Sequence, residues 1–398
     1  MPHNKYSGWD LYFEAEQELP DYFKNSHMRT HNVDDADLFL IQHDFYCRIF
    51  DSTYKNYTGS KMSAISKKYL APLLNYITSQ PAWMKFFGAD HLFTAVMDNG
   101  AFCEGSPSVG GSPPRLPLVF HPYLLNMTII GNFGVDDNEK CFRMNKDIVI
   151  PQLHHFSYDT YNQSEGRRNA TRKYVSFFQG QIVPGSSCSA KVRERIKDIG
   201  VNQSWPTHDE TDFMYIKKGM MKESYFALCP AGWACWSSRL YHALFSNTIP
   251  VVVADPVVQP FQRFLNWSEF SVKIPSAEVL RFDAWAQNRF KRVVSLGDVR
   301  GTASERIGAD EWFLLRFKRY VQEFERSVRE GSAADVELTF IGRMRRQMAE
   351  VHEWFGWDAG RRRNAWKLLE LELWCHTSAG RQHPSEVCVT VSGNSGSA

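Results

Sequence analysis

Apolar and polar positions alternate in two different rhythms along this chain. Short apolar runs at Asp37–His43 (DLFLIQH), His91–Met97 (HLFTAVM) and Ile148–Leu153 (IVIPQL) predict buried strands, the last broken by Pro151. Between the first two, Ile65, Tyr69, Leu70, Leu73 and Ile77 recur at helical spacing, predicting a helix over Ile65–Ser79. A polar, charged stretch at Ser157–Lys173 interrupts the pattern, which then restarts. Strands are predicted at Tyr174–Gln179, Ser224–Cys229 and Ile249–Ala254, with helices at Lys191–Ile199 and Ser238–Phe245. Two amphipathic helices follow: Phe313, Phe317, Tyr320, Phe324 and Val328 share one face, as do Phe340, Met344, Met348, Val351 and Phe355. Strand–helix–strand units of these lengths predict parallel sheets in two consecutive α/β domains.

Composition narrows the class. With 398 residues, 43% of them hydrophobic, the chain holds enough apolar mass for two cores. The net charge of +2 points to neither nucleic acid nor an anionic membrane as partner. No run reaches the roughly 18 apolar residues of a membrane span. Eight cysteines contain no C-x2-C pair, which gives a structural zinc site no support. Six N-x-S/T sequons, at Asn56, Asn126, Asn162, Asn169, Asn202 and Asn266, exceed what composition gives by chance and point to the secretory pathway. The lack of a signal or anchor in the sequence supports the alternative, a cytoplasmic location.

The segment richest in chemistry is Glu223–Ile274. A strand ends in a turn holding Pro230 and Gly232, and a helix starts near Ser237 or Ser238, either of which suits a helix N-cap. Free N–H groups there, with Arg239 beside them, make an anion site at the carboxyl end of a strand, where open parallel sheets bind ligands. Asp255 follows the next strand and is positioned to meet a ribose hydroxyl or an acceptor. Ordinary helix capping with a surface arginine explains the same pattern without a ligand.

These residues also carry a resemblance. Leu228, Pro230, Gly232, Ser237, Arg239, Leu240, Ala243, Ile249, Pro250, Val251, Asp255, Pro260, Phe261, Leu265, Trp267, Phe270, Ser271 and Val272 fall in the order of the diagnostic stretch of exostosin-type glycosyltransferases, family GT47. Earlier blocks match in sequence: His31–Leu40 (HNVDDADLFL), Pro81–Gly100 (PAWMKFFGADHLFTAVMDNG), Lys146–Pro151 (KDIVIP) and Phe177–Gly180 (FFQG). Dispersed blocks in the right order are far more specific than one motif. The chain thus resembles GT47 from residue 31 to about residue 275.

The resemblance implies an α/β GT-B architecture, two Rossmann-like domains facing across a cleft. Residues 1–156 would form the acceptor-side domain, 157–173 the link, and 174–356 the nucleotide-sugar domain with its terminal helices. Residues 357–398 would be an extension with a disordered end. It implies an inverting transferase that takes a nucleotide-sugar co-substrate, UDP-linked, to a glycan or glycoprotein acceptor in the Golgi lumen, anchored as a type II membrane protein. Dimerisation with related transferases belongs to the same implication. Donor binding would fall to Gly232, Ser237, Ser238, Arg239, His242 and Asp255. Asp98, at the carboxyl end of the His91–Met97 strand, is the preferred catalytic base, with His91 next. No obligatory metal is expected, since Asp35 and Asp37 form a D-x-D that precedes its strand instead of following it. His242 stands where the family has Glu or Asp, and a weak or inactive member that binds nucleotide sugar or scaffolds a partner is the alternative. Asn247-Thr248 replaces the family's Gly-Cys, a silent change because Asn tolerates a left-handed helix end.

Overall fold

A computed structural model describes residues 15–45, 66–96, 121–132, 134, 142–153, 171–180, 182, 190–202, 207–208, 218–232, 237–255, 257–280, 313–331 and 333–377. In chain order the elements are α1 (Ala15–Lys24), β1 (Phe39–Leu40), α2 (Ala71–Thr78), α3 (Pro81–Phe86), β2 (His91–Thr94), α4 (His121–Asn126), β3 (Thr128–Gly131) and β4 (Ile148–Val149). The second series is β5 (Tyr174–Gln179), α5 (Ala190–Asn202), β6 (Thr207–His208), α6 (Lys218–Lys222), β7 (Ser224–Pro230), α7 (Arg239–Phe245), β8 (Ile249–Val253), β9 (Val272–Lys273) and α8 (Ser276–Leu280). Four helices close the described chain: α9 (Phe313–Glu330), α10 (Ala333–Leu338), α11 (Phe340–Val351) and α12 (Ala365–His376).

The strands form two sheets, and every pairing in both is parallel. The first runs β1-β2-β3-β4 and the second β6-β5-β7-β8-β9. The second is a doubly wound order in which the direction of strand addition reverses between β5 and β7. That reversal is a topological switch point, where the crossovers diverge and leave a crevice at the carboxyl ends of the strands. Every residue of β7 and β8 is buried, as expected of central strands covered on both faces.

Aromatic packing fixes the helices against this sheet. Phe317 of α9 stacks on Phe226 of β7 at 4.1 Å between centroids, and Phe324 meets Tyr225 edge-on at 5.7 Å. Each buried phenyl ring contributes about 1.5–3 kcal/mol of transfer free energy. Thr339 caps α11 by accepting from the Gly342 amide. In the first half, His43 ties α1 to the sheet: Nδ1 lies 2.8 Å from Glu16 Oε1 and Nε2 lies 2.9 Å from Thr94 Oγ1, all three side chains being buried.

The two halves touch directly. The Val258 amide donates to the Gly134 carbonyl and the Phe261 amide to the Val149 carbonyl, at 2.9 and 3.2 Å. Phe142, Val149 and Val258 form a small apolar cluster at the same seam. Trp357 Nε1 donates to Gln152 O, and Trp366 of α12 stacks flat on Tyr22 of α1 at 3.9 Å. The expected 157–173 link lies, apart from residues 171–173, outside the described residues. Residues 365–376 of the expected extension form a well-packed helix, and residues 378–398 lie outside the description.

Candidate functional site at the switch point of the second sheet

The order of strand addition reverses between β5 and β7, and two arginines meet at that place. Arg239 opens α7, and its guanidinium passes so close to Gly180 that a Cβ there would lie 2.2 Å from Nη2. Arg193 comes from α5, and its Nε donates to the Ala231 carbonyl at 2.8 Å, just past the end of β7. Both side chains are buried. Arg239 Nη1 donates to Ser237 Oγ at 3.2 Å and its charge sits over the Phe178 ring at 5.1 Å, while Nε has no partner.

The electrostatics follow from this crowding. Burial and the neighbouring Arg239 push Arg193 down to about 9. Burial also lowers Arg239, partly offset by Cys229, whose own thiol burial pushes up to about 12. Among the described residues no carboxylate pairs with Arg239. A buried guanidinium with no carboxylate beside it, as Arg239 is, is costly unless something anionic joins it. The arrangement suits a multiply charged anion, and phosphate oxygens match the planar guanidinium fork.

The helix supplies less than its sequence implies. Neither Ser237 nor Ser238 caps α7 as expected: Ser238 makes no side-chain cap hydrogen bond, and Ser237 holds Arg239 instead. Seven residues are two turns, so the dipole is short and positive charge comes mainly from the arginines.

The other sequence-derived positions distribute unevenly. Gly232 is buried at the end of β7, two residues beyond Pro230, and shares the switch point. His242 is buried within α7, one turn after Arg239. Asp255 follows β8 but is exposed, and its Oδ1 accepts from the Ser276 amide at 2.8 Å at the start of α8. His91 begins β2, at the opposite end of the strand from a carboxyl-edge site. Its Nδ1 lies 2.7 Å from Asp90 Oδ1, and its ring packs between Phe39 and Trp83. Asp98 lies outside the described residues, as do Asn56, Asn162 and Asn169. Asn126 and Asn266 are exposed, and Asn202 closes α5. The Asp35 carboxylate accepts from Asn32 Nδ2 at 2.8 Å in a turn ahead of β1. Asn247 adopts φ 51°, the left-handed conformation expected of it.

Three residues of this region escape sequence reasoning. Arg193 is one of several charges on an amphipathic helix. Asn132 follows β3, a strand of four residues that the pattern did not reveal. Gln259 sits in an irregular segment. Gly180 was visible as the last letter of FFQG, and its structural reason is now plain: only a residue without Cβ leaves room for Arg239.

Open parallel sheets of this doubly wound order bind their ligands at the switch point, where the two buried arginines of this chain lie. The Exostosin GT47 domain matches residues 3–288, and the chain belongs to that family. It is 27% identical over 278 residues to a probable glucuronosyltransferase of Oryza sativa subsp. japonica, covering 67% of this chain and 61% of that protein. A probable glucuronoxylan glucuronosyltransferase of Arabidopsis thaliana is 25% identical over 285 residues, covering 67% and 59%. A probable beta-1,4-xylosyltransferase of the same plant is 27% identical over 297 residues, covering 68% and 64%. The chain thus spans about three fifths of the length of these relatives. The solved GtfA/B complex aligns at a TM-score of 0.23 and 8% identity, over 74% of this chain and 60% of that one, a likeness that carries no argument.

Proposed function

We propose that this chain is an inverting glycosyltransferase that moves a sugar from a UDP-linked donor to a glycan or glycoprotein acceptor. The observation that carries the reading is the buried Arg193–Arg239 pair across the switch point. Departure of a nucleoside diphosphate develops negative charge, and preformed cations in a dry crevice stabilise it. The two parallel sheets are read as the halves of a GT-B enzyme, divided near residues 157–173, with the donor on the second half. Asp98 is the proposed base, since inversion needs an acceptor near the incoming hydroxyl. The names of the relatives, glucuronoxylan glucuronosyltransferase and beta-1,4-xylosyltransferase among them, favour a polysaccharide as acceptor. Cys375 is disulfide-bonded, and two sequons are exposed, which supports an oxidising lumen such as the Golgi.

His242 in place of the family's acid favours a second reading, a member that binds donor without turning it over. Donor hydrolysis separates the two: a competent enzyme releases sugar slowly without acceptor, and a binder does not.

Calorimetric titration with UDP in EDTA tests the main reading. UDP binds without divalent ions, and Arg239→Ala weakens it about 10- to 150-fold, the worth of one charge-assisted contact of roughly 1.5–3 kcal/mol. Binding lost in EDTA and restored by manganese overturns the arginine-based site. An Arg239→Ala variant that melts several degrees lower with UDP affinity intact makes Arg239 structural.

A further inference from the structure

The seam between the two halves runs along the carboxyl ends of β3 and β4. The corner made by α2, α3 and the turn into β2 lies at the other end of the first sheet, since it feeds the amino end of a strand parallel to those two. Four large apolar side chains stand exposed there: Tyr76 at 64%, Met84 at 57%, Phe86 at 53% and Phe87 at 58%. Single exposed apolar residues are ordinary on a protein surface, but four gathered on one corner mark a contact surface.

Phe87 holds its exposed position against backbone strain. Its φ is 51°, and that of Gly88 after it is 86°. The left-handed turn follows from Trp83, which is buried and meets His91 and Tyr123 edge-on: a Cβ on Gly88 would lie 2.2 Å from the Trp83 ring. Asn or Gly adopts such a turn readily, whereas a bulky residue does so at a cost. A ring that is more than half exposed gains little inside the fold to offset that cost. The charges beside these rings are of one sign. From residue 67 to residue 87 the sequence holds Lys67, Lys68 and Lys85, all exposed, and no carboxylate. Lys85 Nζ sits 5.3 Å from the centre of the Phe86 ring. Asp90, which follows, is buried against His91. The neighbouring turn ahead of β1 is mixed, with Arg29 exposed beside Asp34, Asp35 and Asp37.

We propose that this corner rests on a lipid bilayer, with Met84, Phe86 and Phe87 at the acyl boundary and Lys67, Lys68 and Lys85 on headgroup phosphates. Apolar rings gain by leaving water, and lysines reach back along their stems to the phosphate layer. A platform for sugars sets hydrogen-bonding groups around its rings, and neither Met84 nor the two phenylalanines offers a hydroxyl or an amide. The net charge of +2 does not decide the matter, because only lysines within about a Debye length of the headgroups act on them. A contact of this size is weak by itself and orients a chain that a second attachment holds near the membrane. Seated this way, the chain turns the seam between its halves away from the bilayer. The proposal is independent of the transferase reading.

Co-flotation of the full chain with vesicles at millimolar lipid tests this, using phosphatidylcholine alone and phosphatidylcholine with phosphatidylserine. The unmodified chain floats with both and more strongly with the second. Phe86→Ser and Phe87→Asn each weaken partitioning about 10-fold on both vesicles, the worth of about half a buried ring. Lys85→Gln weakens it about 5-fold on the vesicles with phosphatidylserine and less on phosphatidylcholine alone. Phe87→Asn keeps or raises Tm, because Asn tolerates the left-handed turn, so its loss of partitioning is not a loss of fold. A chain that floats with neither vesicle overturns the proposal, as do Phe variants that float like the parent. A lower Tm for Phe87→Asn also overturns it, by making the ring part of the packing. Two further results do the same: a dimer in sedimentation that Phe86→Ser dissociates, which makes the corner an interface between copies, and binding of soluble glucuronoxylan that Phe87→Asn abolishes, which makes it a polysaccharide platform.

Discussion

At the scale of single residues, the site depends on a missing carbon. A Cβ on Gly180 would lie 2.2 Å from Arg239 Nη2, and the atom it meets is the far end of a flexible side chain. Gly180→Ala therefore turns the guanidinium aside and leaves the backbone alone. We expect UDP affinity to fall about 10-fold while Tm changes little. Placed in an Arg239→Ala background, the same substitution has no further effect on UDP binding, because both act through one contact. Calorimetry on the two single variants and the double variant reads this directly. The sequence made Arg239 legible through its place after a strand–turn, but Arg193 was not, since its importance arises only when α5 folds back onto the end of β7. Ser237 and Ser238 misled in a related way: neither side chain caps α7, and Ser237 is recruited by the Arg239 guanidinium instead.

Among the elements, legibility followed length and burial pattern. Strands β5, β7 and β8 are five to seven residues of apolar, largely β-branched or aromatic sequence, and their predicted ranges differ from the observed ones by no more than one residue. The first sheet was harder, since its strands have only two to four residues and β3 follows a short helix without a turn signal. The expected helix over Ile65–Ser79 divides into a wide turn at Ser66–Leu70 and α2, because Pro72 near the helix start has no N–H to continue the ladder. α12 was not anticipated: Trp366, Leu368, Leu369, Leu373 and Cys375 are buried all round it, so no single apolar stripe marks it. The end of α7 yields a stability prediction. Asn247 has φ 51°, and its buried amide has neither Nδ2 nor Oδ1 paired. Asn247→Gly relieves both penalties against a modest entropic cost in the unfolded chain, a net gain of about 1 kcal/mol. Thermal melting should rise by roughly 1–3 °C.

Over the whole molecule, an acid–base contact links the segment after β8 to the last helix. Arg263 Nε lies 3.5 Å from Glu372 Oε2, and burial pushes the Glu372 carboxyl up to about 7 although Arg263 opposes the shift. The folded chain therefore holds a proton that the unfolded chain releases near 4.5. Proton uptake by the folded state is lost as pH rises from about 4.5 to about 7, and stability falls across that window by up to about 3 kcal/mol from this group. Glu372→Gln removes that slope: the Tm difference between variant and parent grows in favour of the variant as pH rises from 5 to 8. A difference that stays constant with pH shows that Glu372 does not titrate there.

The stacking of Tyr22 on Trp366 has a consequence for synthesis. The Tyr22 hydroxyl also donates to Glu370 Oε1 at 2.8 Å, a partner 348 residues downstream. At translation rates of about 5–20 residues per second, α1 leaves the ribosome roughly 17–70 seconds before the helix that covers it exists. Through that interval the aromatic face of Tyr22 has no ring to stack on, and the first half is finished only when nearly all of the described chain has emerged. The first helix of the described chain is thus among the last to find its place.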